Sequence, residues 1–251
     1  MMDNTIRDVV INEESRYYAA GQFAYSALRS LEYTDYDALF KRGEYKAPIS
    51  PHSISAIEEA TAWDHRAFLE AIRTEDKRIH VLLRKGCKVL DVGCGVGKFM
   101  QRVQQKYPES SFVGIDLYAA EINATNRPDP GISILPDSAE TMRFEEEFDL
   151  IYFGEALYLV EDKPQAIANC FKALRKGGAI AILEGLRTEV EGCNICEQDK
   201  MVMAMQLDFV LQGHPFMKKN HLLTLLRDGG FSDVRFTHLG ASFFLVTAIK
   251  K

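Results

Sequence analysis

An apolar run that stops abruptly in a glycine-rich turn constrains this chain more than any other feature. Val89-Leu90-Asp91-Val92 leads into Gly93-Cys94-Gly95-Val96-Gly97, and helix-forming sequence resumes at Lys98-Phe99. Strand, tight loop and helix in immediate succession make a loop in which a ligand touches backbone. Glycine removes the side chain where such a ligand approaches and permits backbone angles closed to other residues. Two nucleotide-binding patterns fail on residues here. A dinucleotide loop, G-x-G-x-x-G, needs glycine where Lys98 stands, and a P-loop needs Ser or Thr where Phe99 stands. What remains is Asp-x-Gly-x-Gly-x-Gly, with the Asp91 carboxylate at the strand end, suited to a cationic or amine-bearing ligand.

From residue 81 onward short apolar runs alternate with helical stretches, the pattern of a parallel sheet covered on both faces. The class expected is α/β: a doubly wound, mostly parallel, seven-stranded sheet. Strands are expected near Lys88–Val92, Ser111–Asp116, Ile132–Leu135, Phe148–Phe153, Ala179–Glu184, Val234–His238 and Ser242–Ile249. Only Leu239-Gly240-Ala241 separates the final two, too short for a crossover helix, so the last strand runs antiparallel. Residues 1–80 are different in kind. Six of the ten tyrosines fall in the first 45 positions, Lys46 to Pro51 is a break with two prolines, and Ser53 to Ile72 has helical apolar spacing. That region is expected to be a helical lid or dimerisation region, with 81–251 the ligand-binding domain and 186–220 an insertion lining the substrate.

Charge narrows the partners. The 30 basic residues are outnumbered by 36 acidic ones, for a net charge of -6, and basic residues cluster only in pairs. A polynucleotide partner is disfavoured, because phosphate recognition needs a concentrated cationic footprint. No apolar run is long enough for a membrane span and the amino terminus lacks a secretory pattern, so a cytoplasmic protein without a membrane partner is expected. Five scattered cysteines fit reduced thiols, and Cys193-x-x-Cys196 has no second ligand pair to complete a metal site; no metal is expected.

On these residues the segment 81–251 resembles the class I S-adenosylmethionine-dependent methyltransferases. The resemblance implies that Asp91, Gly93, Cys94, Gly95 and Gly97 wrap the methionine part of S-adenosylmethionine. Asp116, closing Phe112-Val113-Gly114-Ile115-Asp116, would then hold the ribose hydroxyls, as an acid about 20 residues beyond the loop does in dinucleotide folds. Leu117 would pack on the adenine. Asp137, with Ser138 and Ala139, would meet the adenine edge, and Gly154 and Glu155 would lie beside the sulfonium, with S-adenosylhomocysteine as the product. The Lys176-Gly177-Gly178 turn is similar to the family's link into the fifth strand.

Methyl transfer from a sulfonium needs alignment and, for a neutral acceptor, removal of a proton. Candidate acid–base groups are Glu155, Tyr158, His214 and His65. Many small-molecule O-methyltransferases place a histidine after the fourth strand, whereas this chain has Glu155-Ala156-Leu157-Tyr158-Leu159-Val160 there. Trp63, Tyr158 and His214 are the candidates for touching the acceptor, and Met201, Met203, Met205 and Met217 add adaptable apolar surface. The expected activity is transfer of a methyl group to a small organic acceptor. A protein or RNA substrate, and cofactor binding without turnover, are the two alternatives. A homodimer is one use for the first 80 residues.

Overall fold

In the computed structural model, which describes residues 4–12, 15, 18, 20–32, 41, 51–125, 129, 131–187, 206, 209–210, 213–240 and 242–251, the chain forms two compact units, Met1–Arg66 and Ala67–Lys251. The first unit holds α1 (Asn4–Val10), α2 (Ala20–Glu32) and the opening turns of α3 (Pro51–Thr74). Within it Gln22 donates a 2.7 Å hydrogen bond to the Ala60 carbonyl, and Arg66 donates to the Ser15 carbonyl. Pro51 starts α3, where its missing N–H has no helical partner to lose.

The second unit continues through α4 (Lys77–Lys85), β1 (Lys88–Val92), α5 (Lys98–Lys106), β2 (Ser111–Ile115), α6 (Ala119–Thr125), β3 (Ile132–Leu135) and β4 (Phe148–Gly154). After a 3-10 turn at Leu157–Leu159 come α7 (Lys163–Ala173), β5 (Leu174–Gly185), α8 (Lys219–Asp228), β6 (Ser232–Gly240) and β7 (Phe243–Ile249). The seven strands make one sheet in the order β3-β2-β1-β4-β5-β7-β6. The first five strands run parallel, and β7 is antiparallel to both neighbours, as the two-residue link before it, shorter still than the sequence suggests, requires. Central strands are mostly apolar because both faces are covered: every residue of β5 from Gly178 to Gly185 is buried, Glu184 among them.

One face of the sheet carries Leu90, Ile151, Phe153, Ile180 and Ile182 against α7 and α8. On the other, Tyr152 stacks on Phe99 with centroids 3.7 Å apart, and Phe68 meets both rings edge-on. That contact explains why the compact units divide inside α3, at residue 66 and not near residue 80. The last turns of α3 carry the fully buried Phe68 and Ile72, and burying an aromatic or aliphatic side chain is worth about 1.5–3 kcal/mol. β5 also begins earlier than its sequence suggests. Leu174 already pairs with Phe148, the Gly177 turn interrupts the register, and pairing resumes at Ala179.

Asp76 ties α4 to the far half of the sheet. It caps the helix through the Arg78 amide and accepts from Arg78 Nε at 2.8 Å, Arg78 Nη2 at 2.6 Å and Thr247 Oγ1 of β7 at 2.5 Å. Burial on its own pushes the carboxyl pKa up, but those donors and the Arg78 charge outweigh it and hold the pKa at about 2. The folded value is below the unfolded one, so this stabilisation is present above pH ~4 and disappears as pH falls toward 2. Asp76→Ala leaves a half-buried guanidinium and a buried hydroxyl without their acceptor. A loss of about 3 kcal/mol is expected, read as a Tm lower by roughly 6 °C or more in a unit this size; a Tm within a degree of the parent at pH 7 contradicts the role.

Candidate active site

The carboxyl ends of β1, β2 and β4 meet at the glycine loop. Gly93 N and Cys94 N both donate to the Ile115 carbonyl, at 2.8 and 3.2 Å, and Gly95 N donates to Asp116 Oδ2 at 3.0 Å. The loop therefore hangs from the end of β2. Gly93 has φ of +71° and a Cβ there would lie 2.8 Å from the Ala156 methyl, so a side chain is excluded twice over. With none present, a backbone cradle stays open above the strand ends. Asp91 is buried beneath it, opposite Gly114 and Tyr152 in register.

Cys94 is buried, and its small side chain fills the gap over β2. A Cβ on Gly114 would sit 2.4 Å from Cys94 Sγ and 2.7 Å from Met100 Cε. Gly114 is thus as necessary to the loop as the motif glycines, a dependence visible only once β1 and β2 are paired. Gly97, at φ +85°, opens α5.

Asp116 accepts Gly95 N on one carboxylate oxygen and Tyr118 N, at 2.9 Å, on the other. A carboxylate has about four acceptor positions, so two remain for a vicinal diol. Leu117 beside it is 72% exposed, an apolar side chain available to cover a flat ring. Across the cleft Asp137 uses Oδ1 for Ser138 N at 2.8 Å and Thr141 Oγ1 at 2.6 Å. Its Oδ2 carries no hydrogen bond among the described residues. Ala139 offers less: its methyl is buried in the core and its carbonyl accepts from Asn169, leaving only its amide for a ligand. The cradle, the diol acceptor, the exposed apolar side chain and the spare carboxylate oxygen together fit S-adenosylmethionine.

Next to this cleft β4 and β5 end in two acids. Gly154 pairs with Leu183, and Glu155 N donates to the Leu183 carbonyl at 2.8 Å, which brings Glu155 alongside Glu184. Glu155 has φ of +49°, an unusual backbone state for a non-glycine residue and one that clusters at functional sites. Glu155 Oε1 and both carboxylate oxygens of Glu184 are sealed from solvent without a hydrogen bond of normal geometry among the described residues. Burial raises the Glu155 pKa to about 7. Glu184 is raised well above the carboxylate range, first by burial and then by the Glu155 charge; the Tyr158 amide, the Lys163 ammonium and the Leu157 amide pull the other way. Lys163 Nζ is anchored on the carbonyls of Val160, at 2.6 Å, and Tyr158, at 3.2 Å.

An aromatic cluster stands beyond the acids. Tyr158 lies 4.8 Å from Phe209, 6.1 Å from Phe216 and 6.5 Å from His214, ring centroid to ring centroid. Phe216 presses on Gly185, where a Cβ would come within 2.7 Å of its ring. Burial, reinforced by the Lys163 charge, lowers the His214 pKa against the opposing pull of Glu161, so its imidazole is neutral at pH 7. The structure therefore joins Tyr158, His214 and Glu155 at one place. His65 and Trp63 are in the first unit, where His65 Nε2 lies 3.3 Å from Asp64 Oδ1. Cys193, Cys196, Met201, Met203 and Met205 lie outside the described residues; of the insertion expected over 186–220, Gln206, Phe209 and Val210 are described as helical. Glu184, Lys163 and Phe216 are the site residues that sequence reasoning missed. The available signal for Glu184 was an acid closing the apolar run Ala179 to Leu183.

Residues 90–182 match the family described as a methyltransferase domain. Trans-aconitate 2-methyltransferase of Deinococcus radiodurans is 31% identical over 107 residues, covering 39% of this chain and 38% of that protein. Phosphoethanolamine N-methyltransferase 1 of Arabidopsis thaliana is 28% identical over 158 residues, 61% of this chain and 30% of that one. The chain spans less than half the length of these curated relatives. The crystal structure of human N-acetylserotonin methyltransferase in complex with SAM superposes with a TM-score of 0.74 at 16% identity, covering 98% of this chain and 74% of that one, a likeness of fold alone. The glycine loop hung from β2, the sheet order with its antiparallel β7 and the matched segment agree: residues 90–182 carry a methyltransferase domain, within a fold shared with an S-adenosylmethionine-dependent methyltransferase of known structure.

Proposed function

We propose that this chain transfers a methyl group from S-adenosylmethionine to a small organic acceptor whose nucleophilic oxygen or nitrogen bears a proton. The observation that carries this reading is the pair of acids, half-buried Glu155 with its Oε1 sealed and buried Glu184, ending adjacent strands beside the cofactor cradle. When bound, the cofactor supplies an electrophilic methyl on a sulfonium. Asp116 holds the ribose diol, Asp137 Oδ2 accepts from the adenine amine, and Leu117 covers the ring. Asp91, buried under the loop, favours the positively charged methionine end. Tyr158, His214 and Phe216 form an apolar wall that excludes water from the acceptor.

Glu155 takes the acceptor's proton as the oxygen or nitrogen lone pair forms its bond to the methyl carbon, and the pair of the breaking carbon–sulfur bond stays on sulfur. A base with its pKa near neutrality suits this task. Burial raises the proton affinity of Glu155, and Glu184 keeps its own proton while Glu155 ionises, because two carboxylates side by side resist double ionisation. The pair also disfavours an anionic acceptor. Two relatives show how widely acceptors range: one is named for trans-aconitate, another for phosphoethanolamine. Of these chemistries, an amine or a hydroxyl suits a pair of acids and a carboxylate does not.

Three outcomes are expected. In calorimetry S-adenosylmethionine and S-adenosylhomocysteine bind and NAD does not, and Asp116→Ala weakens binding about tenfold or more, on the scale of a hydrogen bond to a charged group; unchanged affinity refutes the ribose assignment. In a turnover screen with labelled cofactor, phenols and amines are methylated ahead of carboxylic acids. A preference for carboxylic acids refutes the acceptor reading, while binding without turnover on any acceptor returns the chain to a non-catalytic role. With an accepted substrate, kcat/KM rises with pH as Glu155 loses its proton, with a midpoint near 7. Glu155→Gln lowers the plateau by about a hundredfold or more and removes the midpoint near 7, whereas Glu184→Gln, which exchanges a neutral carboxyl for a neutral amide, retains that midpoint; a Glu155→Gln protein with the parent's plateau and midpoint excludes the proton-transfer role.

A further inference from the structure

At the opposite end of the sheet α3, α4 and the end of α5 enclose a cavity of about 300 Å³ lined by Leu69, Arg73, His80, Arg84, Lys106 and Tyr107. Its place follows from the topology. Helix α4 runs into the amino end of β1, and α5, which leaves the glycine loop, runs back to finish ahead of β2. Arg84, Lys106 and Tyr107 therefore gather at the amino ends of β1 and β2, away from the cofactor cleft.

Three cations line the cavity and no acid does. Arg73, Arg84 and Lys106 are exposed, and none makes an ion pair among the described residues. Elsewhere in this unit several cations do have acidic partners: Arg78 with Asp76, Lys88 with Glu147, Arg175 with Asp149 and Lys250 with Glu146. In a chain of net charge -6 with acids to spare, three unmatched cations around one hollow repel one another and oppose folding unless an anion joins them. The floor is organised as well. Tyr107 is buried, its hydroxyl is 2.7 Å from His80 Nδ1, and the two rings meet edge-on at 5.7 Å. Burial raises the Tyr107 pKa against the pull of Arg73 and Arg84, so the phenol keeps its proton. The His80 imidazole brings a second hydrogen-bonding nitrogen, Nε2, to the lining.

We infer that this cavity is a binding site for a small phosphorylated molecule, its phosphate held by Arg73, Arg84 and Lys106 and its body resting on Leu69 and the Tyr107 ring. Two guanidinium forks and an ammonium match the three oxygens and double charge of a phosphate monoester better than the single charge of a carboxylate. The volume lies at the small end of ligand cavities, enough for a phosphate and a compact organic group. The site shares no residue with the cofactor cleft and stands whether or not the chain is a methyltransferase.

Titration calorimetry with inorganic phosphate and with phenyl phosphate, at an ionic strength held constant with sodium chloride, tests this on the full chain. Saturable binding of both is expected, with phenyl phosphate several-fold tighter because its ring gains the Leu69 and Tyr107 surface. Binding of phosphate alone assigns the site to the free ion and overturns the organic-phosphate assignment. Arg84→Gln combined with Lys106→Gln weakens binding by about tenfold or more. The Tm of this double variant without ligand is expected to equal or exceed that of the parent, since like-charge repulsion is relieved; a lower Tm would count against unmatched cations in the parent. No saturable heat from either probe, or undiminished affinity in a folded double variant, overturns the site.

Discussion

The close approach of the loop after β1 to the end of β2 is the constraint on which the rest of the architecture turns. Two loop amides share the Ile115 carbonyl, and a third reaches Asp116. They can do so only because Gly114 leaves room for Cys94 Sγ and Met100 where any side chain would collide. A buried backbone amide without an acceptor costs more than a typical hydrogen bond returns, so a displaced loop loses its donors' partners as well as its shape. The same three bonds aim the loop's remaining backbone across the strand ends and fix Asp116, whose spare acceptor positions face the cleft. Folding and ligand capture thus use one set of contacts.

Buried acids in this unit divide into two kinds, and the division separates stability from chemistry. Asp76 is surrounded by donors: a guanidinium, a hydroxyl and a helix-capping amide keep it ionised, and its work is to bind α4 to β7. Glu155 and Glu184 have no comparable donor set. Lys163, the nearest cation acting on Glu184, is spent on the carbonyls of Tyr158 and Val160. A pair left so poorly matched destabilises the fold when ionised, and one of its members also sits in a strained backbone state at φ +49°. A fold carries such a defect where a ligand or a proton is to occupy it.

The residues that made the fold legible were those whose reason is local. Strand β1, the glycine turn and α5 are adjacent in sequence, so Asp91 to Gly97 announced the loop and its ligand class directly. The antiparallel β7 followed from a three-residue link that no crossover could use. What stayed hidden depends on neighbours distant in sequence. Gly114 looks like an ordinary strand glycine until Cys94 is placed over it, and Asp76 reads as a helix cap until Thr247, 171 positions later, is found donating to it. Glu184 was lost inside an apolar strand because its meaning comes from Glu155 across the ladder. The division of α3 between two units escaped for the same reason: the helix is continuous in sequence, and only the packing of Phe68 against Phe99 and Tyr152 assigns its last turns to the sheet.

The two ends of the sheet have opposite electrostatic characters. At the carboxyl ends of the strands stand Asp91, Asp116 and Glu155, a set that favours a cation; at the amino ends of β1 and β2 stand Arg84 and Lys106, with Arg73 alongside. The arrangement suits displacement at a sulfonium. Positive charge is lost from the reacting centre as the methyl moves, so fixed acids near the cleft hold the cofactor before reaction more strongly than its neutral product. Anions, which would compete for that cation, find their favourable potential at the far end of the strands. Separating the two by the length of a strand lets a chain with net negative charge bind a cationic cofactor at one end and offer an anion a place at the other without either neutralising its neighbour.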